Sequence, residues 1–410
     1  MEAILDKKRV NRLIILFMLT YMVSYITRIN YGAIILEIET STGYGNDLLS
    51  LAVTGSFITY GVGQIISGLF GDRVEPKKLI LLGFVVTVCM NALMSIFSNP
   101  YIMLVLWCIN GFAQAFMWPP LVRIMTVLFT PTDYKRASAI VSWGSSIGTM
   151  VVYFVAFILI RFTKLYQTVF IFSVVAGIIM IFILLKYCPT VSLSGNNEQK
   201  EQKTVTQTQN KKQPFPFVFF LIMFAVVLQG MLRDGVTTWM PTYIDQTYNL
   251  GSDMSILSGV VLPIFAIACF NIVSMLYKKV SNPVTCAGIM FGLGVLSSLA
   301  LVFIPTTNAV LSILFMAILT GAMHGVNLML ICMIPPVFKA RGNISTVSGI
   351  LNSCTYVGSA IFTYGIALIS QMAGWSVTLI IWLAIALLGT ITCVICIKPW
   401  SKQQKLANFD

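Results

Sequence analysis

The chain has 410 residues, of which 57% are hydrophobic and only 10% are charged, and its formal net charge is +12. Soluble domains are roughly a quarter charged, so this composition excludes a soluble globular protein and indicates an integral membrane protein. The apolar runs are too long for membrane β-strands, which need about 10 alternating residues each.

Twelve apolar segments are long enough to cross a bilayer as helices, which needs about 20 residues. They cover residues 12–36, 48–71, 77–97, 100–129, 135–161, 166–187, 215–244, 253–277, 283–304, 308–338, 343–372 and 375–398. The first contains Arg28, which a cleavable signal peptide would not carry in its apolar region, so we expect it to remain as a helix. We interpret the nine cysteines as packing residues rather than disulfides or metal ligands.

Basic residues indicate the orientation of these helices. Of the 26 lysines and arginines, 21 precede the first segment or lie at the even-numbered junctions, whereas the odd-numbered junctions carry Arg161 and Lys164. Cytoplasmic loops carry the excess of basic residues, so both termini are predicted to be cytoplasmic in a multi-pass protein of the cell membrane, with a bacterial plasma membrane favoured. The net positive charge indicates contact with anionic lipid surfaces rather than binding of nucleic acid.

A polar stretch divides the chain into two parts of similar design. Residues 188–214 predict a flexible cytoplasmic linker between an N-terminal half, 1–187, and a C-terminal half, 215–410. Arg28 and Arg233 lie 205 positions apart, at corresponding places in the two halves. Parallel six-helix repeats with a substrate site at their interface are the design of major facilitator transporters.

The loop after the second segment, Gly68-Leu-Phe-Gly71-Asp72-Arg73, resembles the signature loop of the major facilitator superfamily. The resemblance implies an all-α membrane protein with the major facilitator fold: twelve transmembrane helices in two pseudo-symmetric six-helix halves. In that family the aspartate and the basic residues tie helix ends together and gate the cytoplasmic side. It therefore implies a gating role for Asp72 and Arg73.

Three further segments, over residues 25–31, 110–123 and 232–243, resemble the organophosphate:phosphate antiporter family. That family contains bacterial glycerol-phosphate and hexose-phosphate transporters and a similar sugar-phosphate sensor. The resemblance implies that Arg28 and Arg233 are the two substrate arginines, one from each half.

The chemistry of arginine supports a ligand site independently of this resemblance. An arginine inside a membrane span costs about 2.5 to 3.5 kcal/mol, and its planar fork of donors fits phosphate or carboxylate. We therefore expect Arg28 and Arg233 to bind an anion, with neighbouring polar side chains completing the site. These are Tyr25, Tyr31, Gln64, Gln114, Gln229, Thr237, His324 and Asn327. The alternative is that each arginine pairs with a buried acid and locks helices together.

Asp234 directly follows Arg233, and successive helical side chains point about 100° apart, so these two residues need not pair with each other. Asp234 either carries a coupling proton or pairs with a basic group on another helix; His324 is a second proton candidate, or a packing residue. The family's phosphate transporters carry lysines where this chain has Ile29 and Gln64. With Asp234 ionised, the site sums to +1, which suits a monoanion better than a dianion.

The predicted function is secondary transport of a small organic anion, such as a sugar or glycerol phosphate, with exchange against phosphate as one mode. The alternatives are a proton-coupled symporter of an organic carboxylate and a ligand sensor that does not transport. An enzyme is not expected, because no metal-ligand set or nucleophile-base arrangement is recognisable in the spans. No cofactor is expected, and a monomer is favoured.

Overall fold

A computed structural model describes residues 6–191, 215–249, 260–303 and 308–406, which are almost entirely helical. The predicted linker lies, from residue 192 onward, outside the described residues. The described helices of the N-terminal half are α1 Lys7–Ala33, α2 Ile35–Thr42, α3 Asn46–Gly71, α4 Pro76–Met94, α5 Pro100–Gln114, α6 Trp118–Leu128, α7 Pro131–Thr163 and α8 Gln167–Tyr187. Those of the C-terminal half are α9 Phe217–Tyr248, α10 Val261–Val280, α11 Pro283–Phe303, α12 Ala309–Asn327, the π-helix Leu328–Cys332, the 3-10 helix Pro335–Arg341 and α13 Ile344–Leu406.

Several helices begin where the sequence supplies a capping residue followed by proline. The side chain of Asn99 accepts hydrogen bonds from the backbone N–H groups of Tyr101 and Ile102, at 3.0 and 3.3 Å, at the start of α5. Thr130 accepts from the N–H of Asp133 at 3.2 Å at the start of α7. Such caps pair amide groups that a helix leaves without partners in its first turn.

Two spans predicted as continuous helices are interrupted. Residues 115–117 separate α5 from α6, directly before Trp118-Pro119-Pro120, and α12 passes into the π-helix and then the 3-10 helix that begins at Pro335. Proline lacks the N–H group that a regular helix needs. The last two predicted spans are two helical limbs that meet at Gly374, whose φ of 78° and ψ of 174° are not helical; we label the two limbs together α13.

Eleven described segments are long and apolar enough to cross a membrane, so the chain is a multi-pass membrane protein. The span predicted over 343–372, which is the first limb of α13, is not one of the eleven. The side chains of Ser348, Asn352, Thr355 and Ser359 in this limb are buried. The limb packs against α9 and α3, so these four polar residues face protein.

The two halves meet most closely between α3 and α13. A Cβ atom added to Gly68 of α3 would lie 2.6 Å from the carbonyl oxygen of Ser345, and Gly349 of α13 is in equally close contact with the backbone of Gln64. Small residues allow helix backbones to approach in this way.

We call the end of the bundle that carries loops 72–75, 281–282 and 342–343 the basic face. A continuous hydrophobic core joins both halves on this side.

Candidate functional site

A narrow cavity lies between the two halves, in which the centre of a water-sized sphere can occupy about 20 Å³. Its lining side chains come from helices on both sides of the interface. They are Tyr21, Tyr25, Trp118, Ser142 and Ser145 from the N-terminal half, and Arg233, Phe270, His324, Asn327, Ile331, Asn352 and Tyr356 from the C-terminal half. Most of these side chains offer a hydrogen-bonding group, so the cavity is polar although it lies within an apolar bundle.

Arg28 lies behind the wall of this cavity, held by aromatic rings. Its guanidinium carbon is 4.2 Å from the ring centroid of Tyr25 and 4.6 Å from that of Tyr60, and Nη1 donates to the Tyr356 hydroxyl at 3.5 Å. Among the residues that the structure describes, no carboxylate lies within 4.0 Å of this guanidinium. Cation–π contacts hold a charge in place without neutralising it, so Arg28 keeps its full positive charge.

Arg233 has a different environment, because it pairs with its neighbour Asp234. Its Nε donates to Oδ1 at 2.6 Å and its Nη2 donates to Oδ2 at 2.8 Å. The two successive residues therefore do pair, although helical spacing did not require it. The alternative that Asp234 pairs with a basic group on another helix is not what the described residues show; α13 contributes the hydroxyl of Ser359, which donates to Oδ2.

Three more of the predicted site residues lie at the cavity. Tyr25, His324 and Asn327 all line it. The imidazole of His324 packs edge-on against Phe270, with ring centroids 5.6 Å apart. Thr237 does not line the cavity, and its hydroxyl donates to the Arg233 carbonyl at 2.6 Å.

The three predicted glutamines are fully buried and do not line the cavity. Gln114 donates to the Thr27 hydroxyl at 2.8 Å, and Gln229 donates to the Met323 carbonyl at 3.2 Å, so both bind helices within their own half. Gln64 lies at the contact with α13, and its amide atoms have no partner among the described residues.

Tyr31 is not brought to the site. Its hydroxyl donates to the carbonyl oxygen of Leu49 at 3.0 Å. Its ring packs against Trp107 and Phe170, with centroids 5.3 and 6.4 Å away. Its spacing from Arg28 predicted that Tyr31 lies on the same helical face. One turn further along α1, however, that face is covered by an aromatic cluster of the N-terminal half.

Sequence reasoning missed several lining residues as site candidates, above all Trp118, Asn352 and Tyr356. The indole N–H of Trp118 is buried without a partner among the described residues. Asn352 and Tyr356 are four residues apart on α13, so they share a helical face. A polar stripe with this spacing inside an apolar span was the signal available in the sequence.

Asp72 connects the halves at the basic face. Its carboxylate accepts hydrogen bonds from the backbone N–H groups of Ser345 and Thr346, at 2.9 and 2.8 Å, in the first turn of α13. Burial raises the pKa of this carboxyl, and the hydrogen bonds from Thr346 and Ser345 oppose that rise. Helix N-termini favour negative charge, so the contact is a helix cap across the interface. Arg73, also predicted to gate, is exposed.

Further hydrogen bonds between the halves lie on the same side. The Tyr134 hydroxyl donates to the Cys332 carbonyl at 2.6 Å, and the Ser345 hydroxyl donates to the Pro119 carbonyl at 3.2 Å. Within the N-terminal half, Arg123 donates to the carbonyl of Gly71 beside Asp72, at the end of α3. The basic face is therefore closed by direct contacts.

Known proteins resemble this chain in sequence over different lengths. The glycerol-3-phosphate transporter of Bacillus subtilis is 24% identical over 398 residues, which cover 89% of this chain and 87% of the relative. A probable hexose phosphate transport protein of Chlamydia trachomatis is 25% identical over 41% of this chain, and the match spans 36% of that relative's length. The membrane sensor protein UhpC of Escherichia coli is 29% identical over 28% of this chain and 26% of its own.

Solved structures share the fold. The fucose:proton symporter FucP of E. coli has a TM-score of 0.71 at 11% identity, covering 94% of this chain and 99% of its own. The human organic anion transporter MFSD10 has a TM-score of 0.72 at 13% identity, covering 95% and 100%. The family model of the Major Facilitator Superfamily matches residues 17–363. The chain therefore belongs to the major facilitator superfamily, a family of transporters rather than enzymes, and it has the major facilitator fold.

Proposed function

We propose that this protein transports a small organic anion through the cavity between its halves. The observation that carries the proposal is Arg28, a permanent charge directly behind the cavity wall, in contact with the lining residues Tyr25 and Tyr356 and with no carboxylate partner among the described residues. An uncompensated buried charge is costly, and a bound anion would offset that cost. Arg233, which lines the cavity from the other half, supplies the second group that can hold the anion.

The lining of the cavity supports an anion with a hydroxylated body. Asn327 and Asn352 present amide groups, and the indole N–H of Trp118 is unpartnered among the described residues. Amides both donate and accept hydrogen bonds, which suits hydroxyl groups. The relatives named for glycerol 3-phosphate and hexose phosphate point in the same direction. A phosphorylated sugar or glycerol is therefore our first choice of substrate, with phosphate as the exchange partner.

The charge of the site favours a second candidate. Arg28 contributes +1, whereas Arg233 and Asp234 form a neutral pair, so the empty site carries about one positive charge. A monoanionic carboxylate, such as a sugar acid, would neutralise it. In this version the protein is a proton-coupled symporter, and Asp234 or His324 carries the proton.

The proposed cycle is a rocking of residues 1–187 against 215–410. Because basic loops lie on the cytoplasmic side of membrane proteins, we infer that the basic face is cytoplasmic and that this structure is closed toward the cytoplasm. Asp72 holds that closure through the first turn of α13. Opening the basic face requires this cap to break.

Flux through purified protein in proteoliposomes tests the proposal. We expect labelled glycerol 3-phosphate to exchange with internal phosphate, and Arg28→Ala to reduce that exchange at least tenfold, since hydrogen bonds to charged groups contribute about 1.5 to 3 kcal/mol. Arg161→Ala is the matched control, because Arg161 lies near the far end of α7, in contact with Phe157. Ligand binding without flux would identify a sensor. Unchanged flux in Arg28→Ala would exclude the proposed site.

A further inference from the structure

We infer that Asp234 is an internal counter-anion, which occupies Arg233 in the empty carrier and must be displaced by the anionic group of the substrate. This inference rests on the proposed function. The inference adds that the carrier can reorient across the membrane without a bound ligand, so transport does not require exchange against phosphate.

The geometry shows that Asp234 holds the position an anion would take. Both of its oxygens accept from one edge of the Arg233 guanidinium, Nε at 2.6 Å and Nη2 at 2.8 Å. This is the bidentate arrangement in which arginine binds carboxylates and phosphates. An anion approaching Arg233 from the cavity therefore competes with Asp234 for these two donors, and the charge of Asp234 repels an anion at the remaining Nη1 donors.

The two substrate arginines are consequently unequal. Arg28 is held by tyrosines and keeps its charge, whereas the charge of Arg233 is already matched. Without Asp234 the empty cavity would carry two uncompensated charges, and enclosing each of them costs several kcal/mol. With Asp234 present, the empty cavity carries one uncompensated charge. The barrier to closing and reorienting the empty carrier is therefore lower than in a site with two open arginines.

The displaced carboxylate has another partner. The hydroxyl of Ser359 on α13 donates to Asp234 Oδ2, and the Asp234 side chain is 30% exposed, so it can turn from Arg233 without losing every hydrogen bond. The other charged and titratable groups around the pair are Tyr25 and Arg28 of α1, His324 of α12 and Tyr356 of α13. With a monoanion on Arg233 and Asp234 ionised, the two arginines and the two anions sum to zero.

Two measurements on Asp234→Asn test this inference, with glycerol 3-phosphate and inorganic phosphate as the probes. We expect the variant to bind the probes at least fivefold more tightly than the unmodified protein, because the competitor for Arg233 is gone. If Asp234 instead contacted the substrate favourably, Asp234→Asn would bind the probes more weakly. Asp133→Asn is the matched control, since Asp133 is an exposed acid at the start of α7 that bonds Thr130.

The second measurement compares release of labelled probe from proteoliposomes into probe-free buffer with release into buffer that contains unlabelled probe. We expect the unmodified protein and Asp133→Asn to release probe at similar rates in both buffers. For Asp234→Asn we expect the ratio of release into probe-free buffer to exchange to fall at least tenfold.

Exchange without net release in the unmodified protein would overturn the inference while leaving the proposed function intact. Weaker binding in Asp234→Asn, or an unchanged ratio of net release to exchange, would also overturn it. If neither probe is bound or exchanged by the unmodified protein, the proposed function fails, and this inference fails with it.

Discussion

At the scale of single residues, the site is defined by how two arginines are held. Arg28 faces tyrosine rings and a hydroxyl, whereas Arg233 is clamped by Asp234 and, through it, by Ser359. The sequence presents both as the same feature, an arginine within an apolar helix. Arg233 has a carboxylate as its counter-charge and Arg28 does not. Under the proposed function, we expect this difference to set which anion the site favours and how the empty carrier behaves.

The Arg233–Asp234 pair makes a prediction about stability. Arg233→Gln should destabilise the protein by about 3 to 5 kcal/mol, because it leaves Asp234 partly buried without its counter-charge. Adding Asp234→Asn should restore most of that loss, since both charges are then absent. Unfolding midpoints of the single and double variants in detergent measure the difference. A double variant no more stable than Arg233→Gln would show that the pair does not matter for stability.

At the scale of helices, the contact between α3 and α13 holds the two halves together at the basic face. Gly68 and Gly349 let the backbones touch, and Asp72 caps the first turn of α13 from the other half. These interactions are made in the closed state that the structure shows. They are therefore the features whose loss should favour an open basic face.

Asp72→Asn should shift the equilibrium toward that open state by roughly 10-fold to 100-fold, because hydrogen bonds to a charged acceptor contribute about 1.5 to 3 kcal/mol. Spin labels at Arg73→Cys and Lys339→Cys, exposed positions on the two halves, with the exposed Cys89 replaced by serine, report the separation. We expect the distance distribution to move to longer values.

Glu75→Gln is the control for this experiment, since Glu75 lies in the same loop but pairs with Lys78 at 3.4 Å. Its distance distribution should match that of the unmodified protein. If Asp72→Asn also leaves the distribution unchanged, the cap does not hold the basic face closed.

At the scale of the whole molecule, the all-helical class and eleven of the twelve spans were predictable, because hydropathy and segment length depend on local composition. The breaks before Pro119 and Pro335 were missed, since prolines inside long apolar runs were assigned to continuous spans. Tyr31 was placed in the site from helical spacing, which gives a face but not what packs against it, and Gln64 was placed there from the family resemblance. The Arg233–Asp234 pair escaped prediction because it depends on the side-chain conformation.

The measurement that tests the central claim most directly is thermal stabilisation of the purified protein by glycerol 3-phosphate and by phosphate. A ligand bound only by the folded state must raise the unfolding temperature with concentration. We expect this rise in the unmodified protein and in Arg161→Ala, a smaller rise in Arg28→Lys, which lacks the planar fork, and none in Arg28→Ala. Full stabilisation of Arg28→Ala would contradict an anion site built on Arg28.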